Sequence, residues 1–308
     1  MDSIIDPIKL NLIEKELNTD RFIRKTNNAN NEIYIVNYHN SPNTTKEIGR
    51  LREVTFRAAG GGTGKSCDLD DFDTRDEAFY EQLIVWAPES KEIIGGYRFL
   101  KCIDALNSNK HNSLATSKLF NFSNQFINEY LSYTIELGRS FVQPNFQPSM
   151  GSRKGIFSLD NLWDGLGAIV VDEPEIKYFF GKVTMYLDYN KTARNYILTF
   201  MNYFFPDKET LASALDPLSY HQNTKDFITE INGLEYNEAY KILQQKVRSH
   251  DENIPPLVSA YMSLSSTMKT FGTSLNTSFG TVEETGILIA IDDIYESKKE
   301  RHINTYIK

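Results

Sequence analysis

Apolar residues recur along the chain at two spacings, helical and extended, and their alternation divides the sequence into elements. Residues 1–30 carry a short helical pattern that runs into the polar stretch KTNNANN at 25–31, an arm leading into the domain. Residues 32–38 (EIYIVNY) alternate as a strand does. Over 46–59 the spacing predicts a helix, with Ile48, Leu51, Val54 and Ala58 on one apolar stripe and Lys46, Arg50 and Arg57 on the polar side. Glycines 60, 61, 62 and 64 end it. Residues 82–87 and 92–101, joined by the turn PESK, predict an antiparallel hairpin. A strand is predicted at 134–142, a helix at 156–168 and a buried strand at 177–186. Asn190 is placed to cap a helix over 191–205, whose Ala193, Ile197, Phe200 and Phe204 share a face and which Pro206 stops. Residues 207–252 are polar and helical by propensity, 254–264 are apolar, and 286–291 form a last buried strand. This order predicts an α/β (α+β) fold with a mixed central sheet flanked by helices. It divides into an arm (1–31), a core (32–206), a helical insertion (207–253), strands completing the same domain (254–295) and a basic tail (296–308).

Composition narrows the class. The 308 residues are 40% hydrophobic and 24% charged, as in ordinary soluble proteins, which excludes collagen-like, low-complexity and wholly disordered chains. No apolar run approaches the ~18 residues of a membrane-spanning helix. The first residues, MDSIIDPIKLNLIEKEL, have acidic residues where a signal peptide is basic. Cys67 and Cys102 are too few for a disulfide framework, which points to the reducing cytosol. The five histidines are scattered, so no metal site is expected. With 33 basic against 41 acidic residues, net −8, nucleic acid is not an expected partner, and an anionic partner must use a local basic patch.

Residues 59–66 (AGGGTGKS) come near the phosphate loop G-x-x-x-x-G-K-[ST], with Ala59 in place of the first glycine. A phosphate loop must follow a strand and open a helix. This one follows a helix and runs into CDLDDFD, whose carboxylates repel a triphosphate. The expectation is a flexible glycine loop.

Four segments are more specific. Arg52 follows Leu51, with Phe56 one turn on. The run D-D-F-D spans Asp70 to Asp73. I-G-G-Y-R-F-L includes Arg98, and E-L-G-R-S-F-V includes Glu136 and Arg139. Their order and spacing resemble the hemolysin-like N-acyltransferases of the GNAT superfamily, which make ornithine and glycine lipids from acyl carrier protein thioesters. Leu162-Trp163-Asp164-Gly165 and Pro255-Pro256-Leu257 with Tyr261 extend the resemblance over about residues 32–295. It points to the bacterial glycine-lipid type, and the acyl-homoserine lactone synthases are similar at a greater distance.

The resemblance implies a direct transfer, with no permanently bound cofactor. An acyl-phosphopantetheine thioester, on acyl carrier protein or coenzyme A, would be the donor. The α-amine of a small amino acid, glycine first and ornithine second, would be the acceptor. The expected setting is cytoplasmic; the basic end Lys298-Lys299-Glu300-Arg301-His302 reads as a solvated tail, peripheral contact with anionic lipid at the inner membrane face being the alternative. The central strand of such a fold pairs its backbone with the pantetheine arm, which assigns Gly138, Ser140, Phe141 and Val142 to the donor. The loop after it assigns Arg153, Lys154 and Gly155 to the donor phosphate. Glu136 is the candidate general base, a structural salt bridge to Arg139 or Arg98 being the alternative. Arg139 and Arg98 orient the acceptor carboxylate or neutralise Asp70 and Asp73. Arg52 and Phe56 cover the substrate or belong to the core, as does Trp163. Tyr196 or Tyr203 is placed to protonate the leaving thiolate. A carrier protein would dock on Lys46, Arg50 and Arg57 or on Arg153 and Lys154.

One expectation comes from strand geometry. In a regular strand Glu136 and Arg139 face opposite sides. A bulge at Gly138 would bring them to one.

Overall fold

The structure is a computed structural model and describes residues 1–108, 114–147, 155–219 and 224–308. Its elements are α1 (Leu10–Glu16), β1 (Phe22–Lys25), β2 (Glu32–Val36), α2 (Pro42–Ala58), α3 (Asp71–Thr74), β3 (Glu81–Ala87), β4 (Glu92–Lys101), α4 (Cys102–Asn107), β5 (Phe120–Phe122), β6 (Thr134–Val142) and α5 (Ser158–Asp172). There follow β7 (Tyr178–Met185), α6 (Lys191–Phe204), β8 (Ala212–Ala214), α7 (Thr224–Ile231), α8 (Tyr236–Arg248), α9 (Pro256–Met262), β9 (Lys269–Asn276), β10 (Val282–Ala290) and α10 (Glu296–His302). They group into two compact units. The first holds Met1–Ala115, Ser132–Lys177 and Tyr295–Lys308; the second holds Thr116–Leu131 and Tyr178–Ile294.

In the first unit β1, β2, β3, β4 and β6 pair in that order, each antiparallel to the next. Successive residues of a strand point to opposite faces. Gln82 of β3 therefore meets Arg52 of α2, while Leu83 lies under Gly165 of α5. The sheet is thus sandwiched between α2 and α5. Helix α2 starts four residues before the periodicity suggested. Ser41 makes no side-chain cap. Instead Glu16, at the end of α1, accepts from the backbone N–H of Asn43 (3.1 Å) and Thr44 (2.7 Å). Burial opposes ionisation of Glu16, yet these donors hold its pKa below the usual range. The buried face of α2 runs through Ile48, Leu51, Arg52, Thr55 and Phe56. Val54 is half-buried and Ala58 exposed, so the expected stripe is rotated toward Arg52.

The arm is part of this unit. β1 adds a strand to β2, and α1 packs on α2. The basic end is not a solvated tail. Its α10 packs on α5, with His302 Nδ1 2.8 Å from Asp164 Oδ1. Asp164 also accepts from Asn27 N (2.9 Å) and Nδ2 (2.8 Å), so one carboxylate ties both termini to α5.

In the second unit β7, β10 and β9 pair antiparallel, and β5 pairs with β8. Asn190 caps α6 as expected, accepting from Thr192 N and Ala193 N. The sequence pattern did not reveal β9. Its polar residues are buried because Thr273 pairs with Thr285 (2.7 Å) and Asn276 with Glu284 (2.8 Å), both on β10. Among the described residues no helix is long and apolar enough to cross a membrane.

Candidate active site

The bulge is present in β6. Gly138 pairs with Arg98 and Phe141 with Gly96, so Arg139 and Ser140 together oppose Tyr97. The left-handed residue is Arg139 (φ 49°), not the glycine. A Cβ on Gly138 would meet nothing within 4 Å, so the strand is open there. The extra residue shifts the alternation by one place. Glu136 and Arg139 come to the face of the sheet that carries Arg98.

That face holds a buried charge network. Arg52, with no exposed surface, donates to Gln82 Oε1 and lies 3.5 Å from Asp73 Oδ1. Gln82 Nε2 donates to Asp73 Oδ1 at 2.8 Å. Arg98 Nη1 donates to Asp70 Oδ1 at 2.8 Å and Asp73 Oδ2 at 3.2 Å. Arg139 Nε is 2.8 Å from Asp68 Oδ2, and Nη2 is 3.9 Å from Asp70 Oδ2. The D-D-F-D run works as a capping box: Asp70 accepts from Phe72 N and Asp73 accepts from Asp70 N, making the single turn α3. That turn aims both carboxylates at the arginines.

Electrostatics follow from burial and charge. Burial pushes the Asp70 carboxyl up, but Arg98 and then Arg139 outweigh it and hold Asp70 well below the carboxylate range. Burial pulls the Arg98 guanidinium down, and Asp73, Asp70 and Asp68 more than restore it, leaving it above its ordinary value. The network grades outward. The side chains of Arg52, Asp73, Asp68 and Arg98 are at most 3% exposed, whereas Arg139 is 14% and Asp70 26% exposed. Only the Asp70–Arg139 end opens to solvent.

Glu136 is 1% exposed and accepts from the Tyr80 hydroxyl. Tyr80 was not among the residues the motifs suggested; it lies just outside β3, and only the folded sheet brings it to Glu136. Phe56 and Trp163 are buried in the core of the unit, on α2 and α5. Phe141 is buried, and Ser140 and Val142 are half-buried on the bulged strand. Gly155 is packed so closely that a Cβ would fall 2.3 Å from the Phe146 carbonyl oxygen. Arg153 and Lys154 lie outside the described residues.

Several other sequence-suggested groups are engaged elsewhere. Arg50 pairs with Glu47 (2.5 Å), and Arg57 with Glu53 (2.6 Å) and Asp2 O (2.7 Å), so the proposed docking face of α2 is largely neutralised. In the glycine loop Glu53 accepts from Thr63 N at 2.7 Å, so the loop wraps a buried carboxylate rather than a phosphate. In the second unit the Tyr203 hydroxyl donates to Asn232 Oδ1 (3.0 Å), and the Tyr196 ring packs edge-on against Phe227. A cavity of about 850 Å³ in the first unit is lined by Ile35, Phe99, Lys101, Ile169 and Glu173. Phe99 and Lys101 point opposite to Arg98 along β4, which puts this cavity on the α5 face, away from the network.

The geometry can be compared with known proteins. Residues 51–154 match the family model described as an acetyltransferase (GNAT) domain, and that span contains the arginines, aspartates and bulged strand of the network. A glycine N(alpha)-acyltransferase of Phocaeicola vulgatus is 51% identical over 310 residues, covering 100% of this chain and 94% of that protein. One from Bacteroides thetaiotaomicron is 52% identical over 309 residues, covering 100% and 91%. Among solved structures, a CoA-dependent acyl-homoserine lactone synthase aligns over 88% of this chain and 89% of its own, with 11% identity and a TM-score of 0.40. With half of its residues identical along its whole length, this acyltransferase belongs to the family of the glycine N(alpha)-acyltransferases.

Proposed function

We propose that the protein transfers a long-chain 3-hydroxyacyl group from the phosphopantetheine of acyl carrier protein to the α-amine of glycine, making an acyl-glycine for aminolipid synthesis. The observation that carries the reading is full-length relatedness to two proteins named glycine N(alpha)-acyltransferase. The site supports it chemically. A thioester is already activated, so amide formation needs a deprotonated amine, a held geometry and donors for the tetrahedral oxyanion. Glu136 takes the proton of the glycine ammonium. The amine nitrogen attacks the thioester carbonyl, the carbon–sulfur bond breaks, and the pantetheine thiolate leaves, taking up the second proton that the nitrogen sheds as the amide forms.

The two arginines divide their work. Arg98 is buried and engaged through Nη1 by Asp70 and Asp73, and it holds them. Arg139, at the solvent end, is the guanidinium that meets the glycine carboxylate, for which its planar fork is suited. Arg52 and Asp73 support this arrangement from below. The bulge at Arg139 and Ser140, beside the open space at Gly138, leaves the strand open for backbone pairing with the pantetheine arm, and Phe141 and Val142 continue that edge. The segment with Arg153, Lys154 and Gly155 takes the donor phosphate, Gly155 by allowing the chain to pass tightly over Phe146. Trp163 and Phe56 back the site from the core. The same thioester on coenzyme A is the alternative donor, and the protein works in the cytoplasm or against the inner membrane face.

The test is mass spectrometry of lipids from cells expressing wild type and Arg139→Ala. A new acyl-glycine that disappears in the variant supports the reading. Acyl-ornithine in its place changes the acceptor. A new acyl-homoserine lactone, or no new acyl-amino acid from a folded protein, refutes it.

A further inference from the structure

Tyr80 occupies the link between α3 and β3 and is 1% exposed. Its hydroxyl accepts from Ala115 N at 2.9 Å and donates to Glu136 Oε2. A phenol has a single proton to give. The Ala115 N–H occupies the acceptor side of the oxygen, so that proton is turned toward the carboxylate. The ring is clamped as well: Phe72 meets it edge-on at 5.5 Å, and the Arg98 guanidinium lies 5.0 Å above it. Burial, and then the charge of Glu136, raise the phenol pKa well above its ordinary value, so Tyr80 stays a donor throughout the working range.

We propose that Tyr80 is a positioning residue for the acyl transfer: its O–H holds the Glu136 carboxylate in the one rotation that meets the acceptor's proton. The proposal rests on the reading of Glu136 as general base. In the step itself the proton passes from the glycine ammonium to Glu136, and Tyr80 keeps its own. Among the described residues the charge of Glu136 also acts on Arg75, at the end of α3, and on the Cys102 thiol at the start of α4. Burial and Glu136 push that thiol up, so it remains neutral. Arg98, next but one to the Glu136 partner Leu100 on β4, lies over the Tyr80 ring.

The experiment follows kcat and KM separately for wild type, Tyr80→Phe, Glu136→Gln and the double variant, with glycine and a 3-hydroxyacyl carrier-protein thioester. In Tyr80→Phe the kcat falls about tenfold, the scale of one hydrogen bond to a charged group, and the KM for glycine is unchanged. The double variant is no slower than Glu136→Gln, because Tyr80 acts through Glu136. Phe72→Leu loosens the same packing with the hydroxyl in place, so its kcat stays near wild type.

A Tyr80→Phe kcat equal to wild type, a kcat lowered equally by Phe72→Leu, or a further slowing of Glu136→Gln by the second substitution overturns the proposal. If Glu136→Gln keeps wild-type turnover, the base reading itself has failed. If Glu136→Gln is slow but Tyr80→Phe is normal, only the role of Tyr80 has failed.

Discussion

Asp73→Ala removes the centre of the charge network, and the structure sets the size of the effect. Asp73 has no exposed surface. It accepts from Gln82 Nε2 (2.8 Å), from Arg98 Nη1 (3.2 Å) and from Asp70 N (3.2 Å), and it lies 3.5 Å from Arg52 Nη1. Arg98 keeps Asp70 after the change, but Arg52 loses its carboxylate partner while remaining fully buried. Removing one member of a buried ion pair costs about 3–5 kcal/mol, because the remaining charge is uncompensated. Losing half of the capping box adds about 1 kcal/mol. Native stabilities are roughly 5–15 kcal/mol, so this is a large share. At roughly 2–4 °C per kcal/mol for a body of 150–250 residues, the midpoint falls by on the order of 10 °C. Asp73→Asn keeps the shape and one oxygen acceptor and should lose less. Thermal melts followed by circular dichroism at neutral pH would read both. A midpoint for Asp73→Ala within about 2 °C of wild type, well inside that scale, would refute the view that the network is a tightly coupled buried structure.

Other outcomes follow from the same geometry. Arg139→Ala should raise the KM for glycine by about ten- to a hundredfold, the loss of a charge-assisted contact, and should also lower the melting temperature, because buried Asp68 loses its ion-pair partner; steady-state kinetics with varied glycine and thermal melts would show both. Asp70 has a depressed folded-state pKa, so its contribution to stability is present above the unfolded value and is lost as pH falls below about 4. Asp70→Asn should therefore be less stable than wild type at neutral pH and converge with it in acid, as urea titrations across that range would reveal. Glu16→Ala should cost about 1 kcal/mol by uncapping α2 from a distance, seen as a lower urea midpoint with unchanged slope. Asp164→Ala leaves Asn27 and His302 donors without their acceptor. It should cost about 1–3 kcal/mol and increase hydrogen exchange over α10.

Much of this protein is written in local pattern. The hairpin of β3 and β4, the strand Thr134–Val142 and the capped helix α6 were legible because alternation, turn residues and an Asn cap are signals confined to a few neighbouring positions. The members of the charge network were legible for a different reason. Arginines and aspartates at odds with an apolar core must be matched to one another once buried, and their order along the chain resembled one family. The need for a bulge was readable from strand parity, since Glu136 and Arg139 cannot share a face without one.

Only the tertiary structure decided the rest, because the partners are far apart in sequence. It capped α2 with Glu16, buried the polar residues of β9 against Thr285 and Glu284, and fastened the basic end through Asp164. It gave the left-handed backbone of the bulge to Arg139 rather than Gly138. It separated the arginines, locking Arg98 inside and leaving Arg139 at the open end, a distinction of burial that two identical side chains cannot announce. It also brought Tyr80 to Glu136 across 56 positions of sequence. Sequence specifies which groups must be satisfied; which group satisfies which is settled when the sheet closes, since an unpartnered charge or polar atom in a dry interior is too costly to leave.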